Sequence, residues 1–445
     1  MPPIFFKIEK YLFYLLLFSV PFEIKKFLWQ WGRFKVEWTS GFLWASDILI
    51  AVILVLWLVR ILRSKSRPKL LKSDYPLLSL LGVALLSAIG VEITAVSIFQ
   101  IIKLAEFIAI FFYVRCNFEK VFSFTNSLLV IVSSAFVQSL TAIGQLLNQS
   151  GLGLWFLGES PIASADSAGA AAFLVDSVKF LRAYGTTPHP NLLAAFLFVA
   201  IFASYWIYLS APNLKEKLTK KYEIFGLVCY GIILWAFFGT FSRTIIGLWL
   251  LGIAVRTALI LFMPKFKEFI AGAKKRFIRI GIVTCVVAAL FCLIYWPQVK
   301  VRAGISLDEG AVTERIYFAK IAEEVSKDKP FLGVGIGQFV PEFMKRDPNH
   351  YFAVYQPVHN IYLLISSEMG FIGLGLFIAF LIAVWRGFIK GLDFKNFYHY
   401  SFVIFAASIF VMGLFDHFLW TLQIGRFILW LTLGFITARI DMSGQ

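Results

Sequence analysis

The sequence predicts an all-α, polytopic membrane protein of about twelve transmembrane helices, with a helical outer loop between the ninth and tenth. Three observations carry this. Of 445 residues, 59% are hydrophobic and 18% aromatic while only 15% are charged. The apolar residues fall in runs long enough to cross a hydrocarbon core of ~30 Å. Lys and Arg cluster in alternate connections between those runs. So much apolar surface exceeds what a soluble globule buries, so lipid is the expected solvent.

The runs lie near 8–23, 42–62, 75–91, 95–114, 122–147, 190–210, 223–239, 244–263, 279–296, 361–385, 400–415 and 422–439. The first follows Lys7 and Lys10 and has no small-residue cleavage site after it, so it is expected to stay as a helix. An even count puts both termini on one side. Arg63, Lys65, Arg67, Lys69 and Lys72 then share that side with Lys215, Lys217, Lys220 and Lys221, and with Lys265, Lys267, Lys274, Lys275 and Arg276. Arg386, Lys390, Lys395, Arg115 and Lys120 fall there too. By the positive-inside rule these links and both termini are cytoplasmic. One link dissents: 24–41 carries Lys25, Lys26, Arg33 and Lys35 on the expected outer face, either as a partly re-entrant segment or because the first span is misplaced.

The net charge of +16 is therefore a topology signal. A nucleic-acid partner is excluded, because the cations sit in short clusters between apolar runs and not on one continuous face. Cys229, Cys285 and Cys292 lie inside apolar runs and Cys116 at the end of another, a pattern of neither a disulfide framework nor a Cys metal site.

Function is expected in the two long outer connections, 148–189 and 297–360. In the second, Ile316, Ala319, Ile321, Ala322 and Val325 recur among Glu314, Glu323, Glu324 and Lys327. This predicts an amphipathic helix over Val312–Lys329 lying on the outer membrane surface, capped by Thr313 and stopped by Pro330. Arg315 falls in its first turn, where a cation opposes the helix dipole, a cost that invites a functional reason. The glycine run Phe331-Leu332-Gly333-Val334-Gly335-Ile336-Gly337-Gln338-Phe339 lacks dinucleotide-binding spacing and a strand-to-helix context. It reads as a tight turn whose missing side chains let backbone approach the bilayer or a ligand.

His359 and Asn360 stand directly before the tenth run. A histidine there is either a solvated polar residue or a proton acceptor at neutral pH. Arg243 opens the eighth run from the outer side, against the trend of the other cations, as an interfacial anchor or an anion ligand. Within the runs, Asp47, Lys103, Glu106 and Glu368 are costly in lipid. Lys103 and Glu106 share a helix face and can neutralise each other, whereas Glu368 must find a partner on another helix. His189, His350 and His417 are scattered over three outer connections, and no cluster of Asp, Glu and His is expected to hold a metal.

Taken in order, Gly239-Thr240-Phe241-Ser242-Arg243, Arg315 with its helix, the run Pro330 to Phe339, His359-Asn360-Ile361-Tyr362-Leu363 and Glu368 with Gly370 resemble the O-antigen ligase and polymerase superfamily. The resemblance covers about 180–435 and takes in Arg182-Ala183-Tyr184-Gly185-Thr186, His189-Pro190-Asn191 and Asp416-His417. It divides the chain into 1–180, holding helices one to five and the first outer loop, and a catalytic region 181–445 with helices six to twelve and loop 297–360.

The resemblance implies a GT-C-like, inverting, metal-independent glycosyltransferase of the bacterial inner membrane that needs no cofactor. Its donor would be an undecaprenyl-diphosphate-linked glycan and its acceptor lipid A core, another glycan or a wall polymer at the outer face. Arg243 and Arg315 match the arginines that hold the donor diphosphate, and His359 matches the catalytic histidine. Arg182, His189, Glu368 and Asp416 are candidate supporting groups. Ligase and polymerase share donor and chemistry and stay open. A lipid-linked oligosaccharide transporter without bond-making is the other reading; it calls for inverted repeats and broken helices at mid-membrane, and the sequence shows neither.

Overall fold

The computed structural model describes residues 3–31, 36–64, 68–167, 169–210, 220–263, 266–304, 310–349, 355–392 and 397–443. Arg33, Lys35, Lys65, Arg67, Lys215, Lys217, Lys265, His350 and Lys395 lie outside these described residues.

In chain order the elements are α1 (Pro3–Ser19), β1 (Lys25–Gln30), β2 (Ser40–Trp44), α2 (Ala45–Ser64), α3 (Asp74–Ser87), α4 (Thr94–Asn117) and α5 (Phe124–Asn148). Then come β3 (Ala172–Val175), β4 (Val178–Leu181), α6 (Pro190–Ser210), α7 (Lys220–Gly239), α8 (Arg243–Phe262), α9 (Lys267–Ile294) and α10 (Trp296–Ala303). The chain closes with α11 (Gly310–Asp328), α12 (Phe339–Arg346), α13 (Ile361–Lys390), α14 (Phe397–Met412), α15 (Phe418–Thr421) and α16 (Gln423–Ser443). Among the described residues, eight of these helices are long and apolar enough to cross a membrane: α2, α4 to α9 and α13. The apolar helices α3, α14 and α16 are shorter. The chain is thus a multi-pass membrane protein by the length and composition of its helices.

The fold is not purely helical. β1 and β2 pair antiparallel, as do β3 and β4. In the dissenting segment 24–41 the described residues form β1 and β2, which pair with each other, and Lys25 is bracketed by Glu23 and Glu37. The charge of Lys25 is thus neutralised locally. β3 and β4 give the first long connection its order.

Packing decides which polar groups the spans tolerate. Lys103 on α4 pairs with Glu106 at 3.0 Å and with Asp47 on α2 at 2.5 Å, so the local neutralisation expected from the sequence extends to a third group. α6 is apolar all round and mostly buried, lying beside α5, α7 and α16 at the centre of the bundle. An outer helix with that composition would instead face lipid.

α13 is broken at Gly370, whose φ of 67° and ψ of −177° lie outside the helical region. The sequence reading saw no broken helix, and this one is broken because another segment is wedged into it. Phe371 N–H donates to Pro330 O at 2.7 Å, Val334 N–H to Ser367 O at 2.9 Å and Gly335 N–H to Glu368 O at 2.9 Å. The Glu368 carboxylate accepts from the N–H groups of Gly337 and Phe339. On the other side Ser97 Oγ donates to Ile336 O at 2.6 Å and Gln338 Nε2 to Ile93 O at 2.9 Å. The glycine run is therefore a clasp joining α3, α4 and α13. Its backbone approaches protein, not the bilayer or a ligand.

α11 forms close to the expected bounds but starts earlier, so Thr313 lies inside it and not at its cap, and Arg315 is in the second turn. Its apolar face, with Phe318, Ile321, Ala322 and Val325 nearly fully buried, packs on α13, and Ser326 and Ser366 hydroxyls meet at 3.0 Å. The face expected on the membrane is covered by protein.

Candidate active site

The site is organised by the short link between α7 and α8. Phe241 adopts φ 47°, a left-handed conformation costly for a bulky residue. It persists because its ring is buried against Phe173, Phe180 and Phe291. Two carbonyls of the twisted link receive arginines: Thr240 O accepts from Arg182 Nε at 2.6 Å and Phe241 O from Arg302 Nη2 at 3.4 Å. Arg243 then opens α8 and donates from Nη1 to Gly304 O at 3.1 Å. Burial first, then Arg302, Arg315 and Arg243, push the Arg182 guanidinium below its ordinary pKa. Four guanidinium groups thus feel one another at one end of the bundle.

A hydrogen-bonded relay leads from Arg182 to the histidines. Arg182 Nη2 donates to Asn191 Oδ1 at 2.7 Å, and Asn191 Nδ2 donates to Asp416 Oδ2 at 3.1 Å. The Asp416 Oδ1 atom accepts from the His417 N–H at 2.8 Å, while His417 Nδ1 lies 2.6 Å from Thr421 Oγ1. His189 Nδ1 accepts from the Asn191 N–H at 3.1 Å. His359 completes the group: its ring stacks on Phe318 with centroids 6.0 Å apart and meets the His417 ring edge-on at 5.1 Å. His359 Nδ1 is buried and has no hydrogen-bond partner among the described residues.

Charge follows from this burial. Desolvation lowers the His359 pKa from its ordinary value, with Asp416 opposing and Arg315 assisting. His417 falls to about 3, from burial and then His359, with Arg315 adding to it. Burial with Arg182 likewise lowers His189. For Asp416 burial works the other way, but the charge of Arg315, and those of His359 and His417 at pH values where they are protonated, outweigh it and hold the carboxyl below its ordinary range. The three imidazoles are neutral at pH 7 and sit around one carboxylate.

They open on a chamber with about 520 Å³ available to the centre of a water-sized sphere. His189, His359, Asp416 and His417 line it together with Lys25, Glu37 and Trp38 from the segment that begins with β1, and the Trp38 ring meets the His417 ring edge-on at 6.0 Å.

The structure brings together Arg182, His189, Arg243, Arg315, His359 and Asp416. It does not bring Glu368, which is committed to the clasp. The sequence reading passed over Arg302, His417 as a member of the group, and Asn191. Arg302 carried a signal, since it is a cation on the expected outer side, like Arg243.

The expectation that Asp, Glu and His would not cluster is corrected. Ligand atoms of His359, Asp416 and His417 all lie within 4.8 Å of one another, close enough to hold a metal ion. Their present bonds fit such an ion poorly: Asp416 already serves Asn191 and the His417 N–H, His417 Nδ1 is engaged by Thr421, and the Arg315 charge bears on all three.

No curated protein matches the chain significantly. A family model described as O-Antigen ligase matches residues 228–378. That stretch holds Arg243, Arg302, Arg315, the clasp and His359, and over it the chain is similar to the O-antigen ligase family.

Proposed function

We propose that the chain transfers a glycan from a polyprenyl-diphosphate donor, undecaprenyl diphosphate in a bacterial inner membrane, to an acceptor hydroxyl at the outer face. The family model over 228–378 and the apolar helices support the coarser reading, a membrane protein akin to glycan ligases and polymerases. The observation that supports the finer reading is the convergence of four arginines beside a histidine with an open, buried ring nitrogen.

Arg243 and Arg315 bind the diphosphate, with Arg182 and Arg302 behind them. A guanidinium matches phosphate oxygens bidentately and keeps its charge at any relevant pH. As the sugar C1–O bond to phosphate lengthens, negative charge builds on the leaving diphosphate, and fixed cations stabilise it there. His359, neutral at pH 7, accepts the proton of the acceptor hydroxyl as that oxygen bonds to C1. The products are the glycosylated acceptor, the lipid diphosphate held by the arginines and an imidazolium. Asp416 faces that imidazolium and stabilises it, with Asn191 fixing the carboxylate. His189 and His417 stay neutral and add no competing charge. Glu368 contributes through the clasp alone.

Because guanidinium groups supply the positive charge, transfer is expected to continue undiminished in excess chelator. Ligase and polymerase differ only in the acceptor that enters the chamber, lipid A core or wall polymer against another glycan. The test is stereochemical: a single displacement inverts C1, so transfer from a donor of known anomeric configuration must give the opposite configuration by NMR. Retention would overturn the proposed attack.

A further inference from the structure

A second cavity lies far from the arginines, between α5, α6, α14 and α16, with α8 along one side. It is walled almost wholly by apolar and aromatic side chains, and only about 90 Å³ of it admits the centre of a water-sized sphere. Along α6 it is lined from Phe196 to Leu209, about 20 Å at 1.5 Å per residue, so it is long and narrow. A slot of that shape suits a hydrocarbon chain and not a sugar. Its length is close to one leaflet's share of a ~30 Å core.

One charge enters this slot. Arg256 on α8 is 8% exposed, with its guanidinium carbon 4.5 Å from the Tyr205 ring centroid and 5.3 Å from that of Phe202. Among the described residues it has no carboxylate and no hydrogen-bond acceptor; ring faces are its only neighbours of note. The Tyr205 hydroxyl is taken by Tyr230, which is bonded in turn to Thr284. A cation inside a span is expensive without an anion or other acceptor: Lys103 and Arg115 have carboxylates, and Arg426 on α16 bonds the Trp420 carbonyl and the Gln100 amide oxygen.

We infer that this slot binds an anionic phospholipid, its phosphate on Arg256 and one acyl chain running along α6. Arg256 is thirteen residues beyond Arg243 on the same helix, about 20 Å away, so the lipid enters from the leaflet opposite the diphosphate site. The inference is independent of the proposed transfer reaction. On this inference the lipid enters beside Tyr398 and Ser401, half-buried lining residues near the start of α14.

The full chain, purified in mild detergent, is offered phosphatidylglycerol or phosphatidylcholine with identical acyl chains, and bound lipid is counted by native mass spectrometry. Wild type should retain phosphatidylglycerol over phosphatidylcholine by at least about five-fold. Arg256→Leu should abolish the preference, Arg256→Lys should keep part of it, and Ser401→Trp should reduce retention of both lipids by closing the mouth. A thermal melt of each variant separates lost binding from lost fold, and Ser401→Trp carries the test if Arg256→Leu does not fold. Equal retention of the two lipids by wild type, preference surviving in Arg256→Leu, or full retention in Ser401→Trp would each overturn the inference.

Discussion

Arg243 stood out in the sequence because it opens a helix on the expected outer face while most cations at span ends fall on the other, and the electrostatics of Arg182 link it with Arg302 and Arg315. Arg302 obeyed the same logic, yet nothing local marked it: it ends a short helix, and its partner, the Phe241 carbonyl, is held by a backbone twist no pattern announces. The relay through Asn191 and Asp416 was equally out of reach, since its two halves, Arg182 with Asn191 and Asp416 with His417, lie more than two hundred residues apart. On the proposed reading, Arg302→Ala should weaken donor binding by on the order of ten- to a hundred-fold, the loss of one charge-assisted hydrogen bond, measured with purified lipid-linked donor. Arg243→Lys and Arg315→Lys should lose nearly as much as alanine, because an ammonium cannot reproduce the planar fork. A lysine variant with wild-type donor affinity would remove that residue from the diphosphate site.

At the scale of elements, periodicity located most helices to within a few residues but could not say what covers a face. α11 shows this: Ile321, Ala322 and Val325 gave the right helix, while the same stripe serves a lipid surface or a protein neighbour equally well. The glycine run was legible as a place of close backbone approach, and only the fold reveals that the approaching surface is α13. A Cβ on Gly370 would stand 2.0 Å from Phe331 O, and its φ is positive. Gly370→Ala should therefore cost well over ~1 kcal/mol of stability. Gly375→Ala, five residues on in the same helix with nothing within 4 Å of its added Cβ, should be neutral or slightly stabilising. Thermal unfolding of the two variants side by side checks the clasp; equal melting temperatures would refute it.

For the whole molecule, charge placement gave an expected orientation, with Arg182, Arg243, Arg302, Arg315 and the histidines His189, His359 and His417 all on the expected outer side. Reporters fused after Lys69, Lys217 or Lys274 should register cytoplasm, and those inserted near Asp166 or Gly335 the outside. A reporter in the β1–β2 segment should register the outside as well, where the neutralisation of Lys25 by Glu23 and Glu37 weakens the segment's topological pull. Two or more reversals would place the arginines in the cytoplasm and end the proposed reaction.

The central claim is that His359 takes the acceptor proton, and a base of this kind contributes about 10²- to 10⁴-fold to rate. The decisive measurement is transfer and donor binding, side by side and across pH, for wild type, His359→Ala and His359→Gln. Burial and Arg315 hold the His359 pKa below its ordinary value. Wild-type turnover should accordingly be level through neutral pH and fall only as pH drops below about 6.5, where the imidazole gains its proton. Both variants should lose at least about a hundred-fold in turnover and keep donor affinity within a few fold, and the acidic fall should vanish from what activity remains. A glutamine variant with full turnover, or one with the wild-type acid limb intact, would contradict proton transfer to His359.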